Sequence, residues 1–161
     1  MRIWVDADAV PRDVKEIVFR ASVRLQCTVV LVANQRLAKP MNNPLVTAVV
    51  VGGGPDEADR YIAEHASEGD LAITADIPLA AILVRKAVAV LDFRGEVYTE
   101  ANVRERLSIR DFMASLRDTG VETDGPGPYG TREKQAFAAA LDRTLVALGK
   151  RRERASEDGA P

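Results

Sequence analysis

Five short apolar runs rich in β-branched residues, at 3–5, 28–33, 46–51, 71–74 and 87–91, constrain the fold of this chain more than any other feature. None alternates apolar with polar residues, so each reads as a strand buried on both faces. Helical patterns lie between them. Over residues 11–25 the apolar Val14, Ile17, Val18, Ala21 and Leu25 recur at steps of three and four, with Arg12, Lys15, Glu16 and Arg20 at the other positions. Another helix opens at Asp56, and a short one covers 78–86. The alternation implies an α/β fold of three layers, a mostly parallel central sheet flanked by helices.

After the fifth run the pattern predicts a short edge strand at 96–99 and a helix over about 100–116, with Val103, Leu107, Phe112 and Leu116 facing inward. Residues 120–130 are too rich in glycine and proline for regular structure and read as a loop or lid. A last helix starts at Thr131, with Phe137, Leu141, Leu145 and Leu148 at helical spacing, and residues 150–161 read as a charged, flexible tail. With 161 residues, one domain over 1–149 and that tail account for the chain.

Charge and cysteine content narrow the function classes. The net charge of -2 argues against retention on nucleic acid by bulk electrostatics, although it is compatible with a local basic strip. A single cysteine, Cys27, excludes an intramolecular disulfide and a cysteine-rich zinc site, and it suits a reducing compartment. No apolar run nears the roughly 18 residues of a membrane span, so the expectation is a cytoplasmic protein with no membrane partner.

Chemistry concentrates where the strands end. The first run stops at Asp6 and Asp8, Asp56 and Asp59 open the helix after the third, Asp76 follows the fourth, and Asp92 is a weaker member after the fifth. In a parallel sheet all these loops open on one edge, where ligands bind. Converging carboxylates repel one another, and a divalent cation such as Mg2+ relieves the repulsion while clamping a phosphate and activating water. The plainer explanation for any one of these acids is a helix cap or a first-turn acid favoured by the helix dipole. One cap leaves the second carboxylate of the Asp6, Asp8 pair unexplained, and acids recur after three strands.

Weaker signals accompany this cluster. Asn34 and Gln35 after the second strand, Arg36 or Lys39 nearby, and Arg94 after the fifth are candidate phosphate contacts. The run Gly52-Gly53-Gly54 fits neither a dinucleotide fingerprint nor a phosphate loop and reads as a turn. His65, the sole histidine, reads as a helix-surface residue, and no Ser-His-Asp set is present.

Several longer segments resemble one family. The opening Val5-Asp6-Ala7-Asp8-Ala9-Val10-Pro11, the strand end Val32-Ala33-Asn34-Gln35, the stretches 56–62 and 69–80, Arg94-Gly95, Tyr98-Thr99 and residues 125–137 look like the YaiI/YqxD family of uncharacterised bacterial proteins. The resemblance runs from residue 3 to about residue 148. That family is similar to PIN-like domains, mostly Mg2+- or Mn2+-dependent ribonucleases. The resemblance therefore implies Asp6, Asp59 and Asp76 as metal ligands, Asp8 and Asp56 as further ligands or water-orienting groups, and Arg94 as a phosphate contact. It also implies a carboxylate where this chain has Arg60, and an Asp where it has Glu133.

Three readings follow. The first is a metal-dependent phosphodiesterase acting on RNA, with Asp6, Asp8, Asp59 and Asp76 in the catalytic set, Asp6, Asp56, Asp59 and Asp76 toward the metal, and Asn34 and Arg94 toward substrate. The second is a non-catalytic nucleic-acid or partner-binding module on the same fold. The third is a haloacid dehalogenase-type phosphatase using Asp6 and Asp8, which lacks the late Gly-Asp pattern that such a site requires.

Overall fold

The computed structural model describes residues 1–125 and 127–159. Its strands are β1 (Arg2–Asp6), β2 (Thr28–Ala33), β3 (Val46–Val50), β4 (Leu71–Ile73), β5 (Ala89–Leu91) and β6 (Val97–Tyr98). Its helices are α1 (Arg12–Leu25), α2 (Glu57–His65), α3 (Ile77–Arg85), α4 (Glu100–Asp118) and α5 (Thr131–Asp158). The sheet order is β3-β2-β1-β4-β5-β6, parallel except where β6 runs antiparallel to β5. This is the three-layer α/β architecture that the apolar runs imply, and it is PIN-like.

Alternation along β1 separates two cores. Ile3 and Val5 point to the face covered by α1 and α5, where they pack with Val14, Val18, Phe137 and Leu141. Trp4 points to the other face and packs with Ile62 of α2, Leu79 and Leu83 of α3 and Val103 of α4. Because β1 is central and both its faces are covered, a polar residue is tolerated only at its end.

The strand order fixes the location of the functional edge. From β1 the chain moves outward through β2 to β3, then crosses back over α2 to place β4 on the other side of β1. The direction of winding therefore reverses between β1 and β4, and a crevice opens there beyond the carboxyl ends of the strands.

Local chemistry accounts for the helix ends. α1 carries Asp13 in its first turn and Arg24 in its last, both favourable to the helix dipole, and stops at Gln26 in the left-handed region with φ 52°. The Thr99 hydroxyl accepts the Asn102 N–H at 3.2 Å while the Asn102 amide oxygen accepts the Thr99 N–H at 2.7 Å, a reciprocal cap that opens α4. Gly95, with φ 95°, turns β5 into β6 where an added Cβ would lie 2.8 Å from the Ala136 backbone, so only glycine fits.

Three expectations are corrected, and residues 160–161 of the expected tail lie outside the described residues. Phe112 is 62% exposed and Leu116 only half-buried, and the buried residue of α4, Val103, lies in its first half. The fifth strand begins at Ala89 rather than at residue 87, since Ala87 adopts φ 58° in the turn after α3. Asp92 is no member of an acidic cluster: its Oδ1 accepts the N–H groups of Arg94 and Glu96, each at 2.9 Å, and shapes the β5–β6 turn. Residues 150–158 continue α5 as helix. No helix among the described residues is long and apolar enough to cross a membrane.

Candidate functional site

The acids at the ends of β1 and β4 and at the start of α2 meet at the crevice beside β1. Asp6 closes β1 and is buried, hydrogen-bonded through Oδ2 to the Thr74 hydroxyl at 3.3 Å. Burial raises its carboxyl above the ordinary range, and the neighbouring Asp76 and Asp8 add to the effect. Asp56 precedes α2 with φ 64°, an uncommon conformation for a residue with a side chain, and its carboxylate makes no cap bond. The cap explanation thus fails for Asp56. It stands for Asp76, whose Oδ1 accepts the Leu79 N–H at 2.8 Å and so starts α3.

Asp56, Asp59 and Asp76 each offer a carboxylate oxygen such that all three lie within 4.8 Å of one another. Desolvation, then the charges of Asp76 and Asp6, a hydrogen bond with Asp76 and the charge of Asp56 push Asp59 up to about 7. Asp59 therefore holds its proton to higher pH than a free carboxyl does. Asp6 stands beside this trio on the β1 side, close enough to act on Asp59.

Three carboxylate oxygens this close could hold a metal ion. Asp56 is the exposed member of the three. Asp59 is half-buried and Asp76 is pinned by its cap bond, which leaves Asp56 as the adjustable arm.

The other expected contributors stand apart from the trio. Asp8 is exposed, and its Oδ2 accepts the Asn34 N–H at 2.6 Å, which ties the turn after β1 to the end of β2. Asn34 therefore meets Asp8 through its backbone. Arg94 donates through Nη2 to the Gly127 carbonyl at 2.6 Å and lies 5.8 Å over the Tyr129 ring, so it anchors the loop between α4 and α5. Arg60, in place of an expected carboxylate, turns to Glu57 at 3.2 Å. Glu133 accepts the Gly130 N–H at 3.0 Å at the start of α5. His65 is exposed and stacks on Tyr61, ring centroids 3.9 Å apart.

Two polar residues escape sequence reasoning. Thr74 is fully buried and bridges the site: its hydroxyl donates to Asp6 and accepts the Asp76 N–H at 3.0 Å. Its one signal is a hydroxyl ending an otherwise apolar run. Asp70, at the opposite edge, accepts the Arg2 N–H at 2.9 Å and the Trp4 indole N–H at 3.0 Å.

Comparison with known proteins extends these observations. Residues 4–147 match the family described as uncharacterised, YaiI/YqxD. A UPF0178 protein of Myxococcus xanthus is 55% identical over 150 residues, 93% of this chain and 97% of the relative. One from Trichlorobacter lovleyi is 56% identical over 148 residues, 92% and 96% of the two chains. One from Geobacter sulfurreducens is 53% identical over 152 residues, 94% and 100%. No solved structure matches. With the family match spanning nearly the whole sheet and its helices, and identity above one half along the chain, this protein belongs to the YaiI/YqxD family of UPF0178 proteins.

Proposed function

We propose that the chain is a divalent-metal-dependent phosphodiesterase acting on RNA. The observation that carries this reading is the convergence of Asp56, Asp59 and Asp76, their oxygens within 4.8 Å of one another, at the point where the sheet changes winding direction. Asp56, Asp59 and Asp76 would hold Mg2+ or Mn2+, with Asp6 alongside. Such a cation would supply polarisation of a phosphate oxygen and a lowered pKa for bound water.

The chain's own residues have distinct tasks. Thr74 keeps Asp6 turned into the crevice, and the Leu79 N–H fixes the rotamer of Asp76. Asp6, raised by burial, is suited to hold a proton or to orient a water beside the reacting phosphate. Arg94 sets the position of the loop that borders the edge, and Asn34 with Asp8 sets the turn on its other side. The dehalogenase-type reading draws less support, since Asp8 is engaged by Asn34.

Calorimetry with Mn2+ and Mg2+ on the wild type, Asp59→Asn and Asp76→Asn tests the reading, followed by hydrolysis of a short single-stranded RNA with metal present. Saturable binding, weakened at least roughly tenfold in each variant, with metal-dependent cleavage, is the expected result. Metal binding and RNA binding with no cleavage would favour the non-catalytic module. Absence of metal binding in a folded wild type, with RNA added, would overturn the proposal.

A further inference from the structure

We infer that a cleft at the amino-terminal edge of the sheet, opposite the acids, binds a small anion with an apolar body: an alkyl or aryl carboxylate or phosphate. α5 is 28 residues long, about 42 Å at the usual rise, and its last turns pass beyond the core. The core-facing positions Leu141, Leu145 and Leu148 recur at 152 and 155, so the same stripe continues with Arg152 and Ala155. An apolar face thus becomes a cationic one where it overhangs the sheet edge.

Beneath that overhang lies a cleft of about 600 Å³, within the range of small-molecule sites. Leu145 and Leu148, both buried, line it together with Met1 and Leu25, the last 45% exposed. Gly69 and Ala87 also line it, both left-handed and joined by a Gly69 N–H to Ala87 carbonyl bond of 3.3 Å. A Cβ on Gly69 would meet nothing within 4 Å, so this wall is short-sided and the space beside it open.

Arg151 and Arg152 complete the lining, and neither belongs to an ion pair among the described residues. Glu68, the acidic residue of the lining, is exposed and likewise makes no ion pair among the described residues. Two guanidinium groups over an apolar floor complement an anionic head on an apolar body, and they disfavour a cationic amphiphile of the same shape. Burial of the body against Leu145 and Leu148 supplies the driving force, and the arginines select the sign of the head.

The test uses the full chain and three probes with one tail: decanoate, decyl phosphate and decylamine. The expected result is saturable binding of one or both anions, one per chain, with dissociation constants below about 1 mM and a rise in melting temperature that grows with ligand concentration. The decanoate and decyl phosphate arms distinguish a carboxylate from a phosphate ligand. Arg151→Glu combined with Arg152→Glu should weaken binding roughly tenfold or more. Ala155→Trp, at an exposed helical position, should block the cleft while the fold is retained. Equal binding of decylamine, unchanged affinity in both variants, or no saturation by either anion would overturn the inference. Mn2+ binding at the acidic site should be the same in all these proteins.

Discussion

Thr74 Oγ1 donates to Asp6 Oδ2 at 3.3 Å and accepts the Asp76 N–H at 3.0 Å, so one buried hydroxyl ties the ends of β1 and β4 across the crevice. Replacement by valine keeps the shape and leaves both partners unsatisfied. Thr74→Val should cost about 1–2 kcal/mol in chemical denaturation, and Mn2+ affinity should fall several-fold because Asp6 and Asp76 lose their shared anchor. Thr74→Ser should recover both quantities. Undiminished metal affinity in a folded Thr74→Val protein would detach the hydroxyl from the site.

Asp59 gives the metal-free protein a particular pH dependence. Burial and the neighbouring acids push its carboxyl from 3.8 up to about 7, and Asp6 is raised as well. The folded state therefore holds these protons more tightly than the unfolded chain. The resulting stability is complete below about pH 4 and is lost as pH rises through about 7. Melting temperature without metal should fall over that interval. The increment from Mn2+ should grow over the same interval, since the ion binds the ionised carboxylates. Asp59→Asn should flatten both trends, and a scan with and without Mn2+ measures them.

Asp70 clamps the edge remote from the acids. Its Oδ1 accepts the Arg2 N–H at 2.9 Å, and its Oδ2 accepts the Trp4 indole N–H at 3.0 Å and the Ser67 N–H at 3.1 Å. Removing a buried acceptor strands these donors, so Asp70→Ala should destabilise by about 3 kcal/mol. Mn2+ binding by the folded fraction should be unaffected. A loss of metal affinity larger than the loss of folded protein would show that the two edges are coupled.

Phe112 and Val103 lie on the same helix and should respond in opposite ways. Val103 is buried against the α2–α3 face of the sheet, so Val103→Ala should cost about 2 kcal/mol. Phe112 is 62% exposed, and Phe112→Ser should stay within about 0.5 kcal/mol of the wild type. Urea titrations of the two variants separate these outcomes. A large loss in Phe112→Ser would mean that the stripe on α4 packs in solution against something the single chain does not supply.

The arrangement of layers was legible because β-branched runs without polar alternation suit central parallel strands, and β1 and β2 are buried beyond their first residue and β4 throughout. The sequence by itself also placed Asp6, Asp59 and Asp76 on one edge, since parallel strands leave their carboxyl ends on the same side. Tertiary structure alone decided which acids meet. Asp56 and Asp59 reach Asp76 because the chain reverses its winding after β3 and lays α2 against β1 and β2, next to α3. Asp92, chemically identical and also at a strand end, is instead drawn to the N–H groups of its own turn. Helical periodicity gave the stripe of α4 but no sign of where the core stops, because spacing reports which residues share a face and says nothing of what lies opposite. Thr74 became visible only through its partners: a hydroxyl takes its role from the donors and acceptors around it, and one of these, Asp6, lies 68 residues away in the chain.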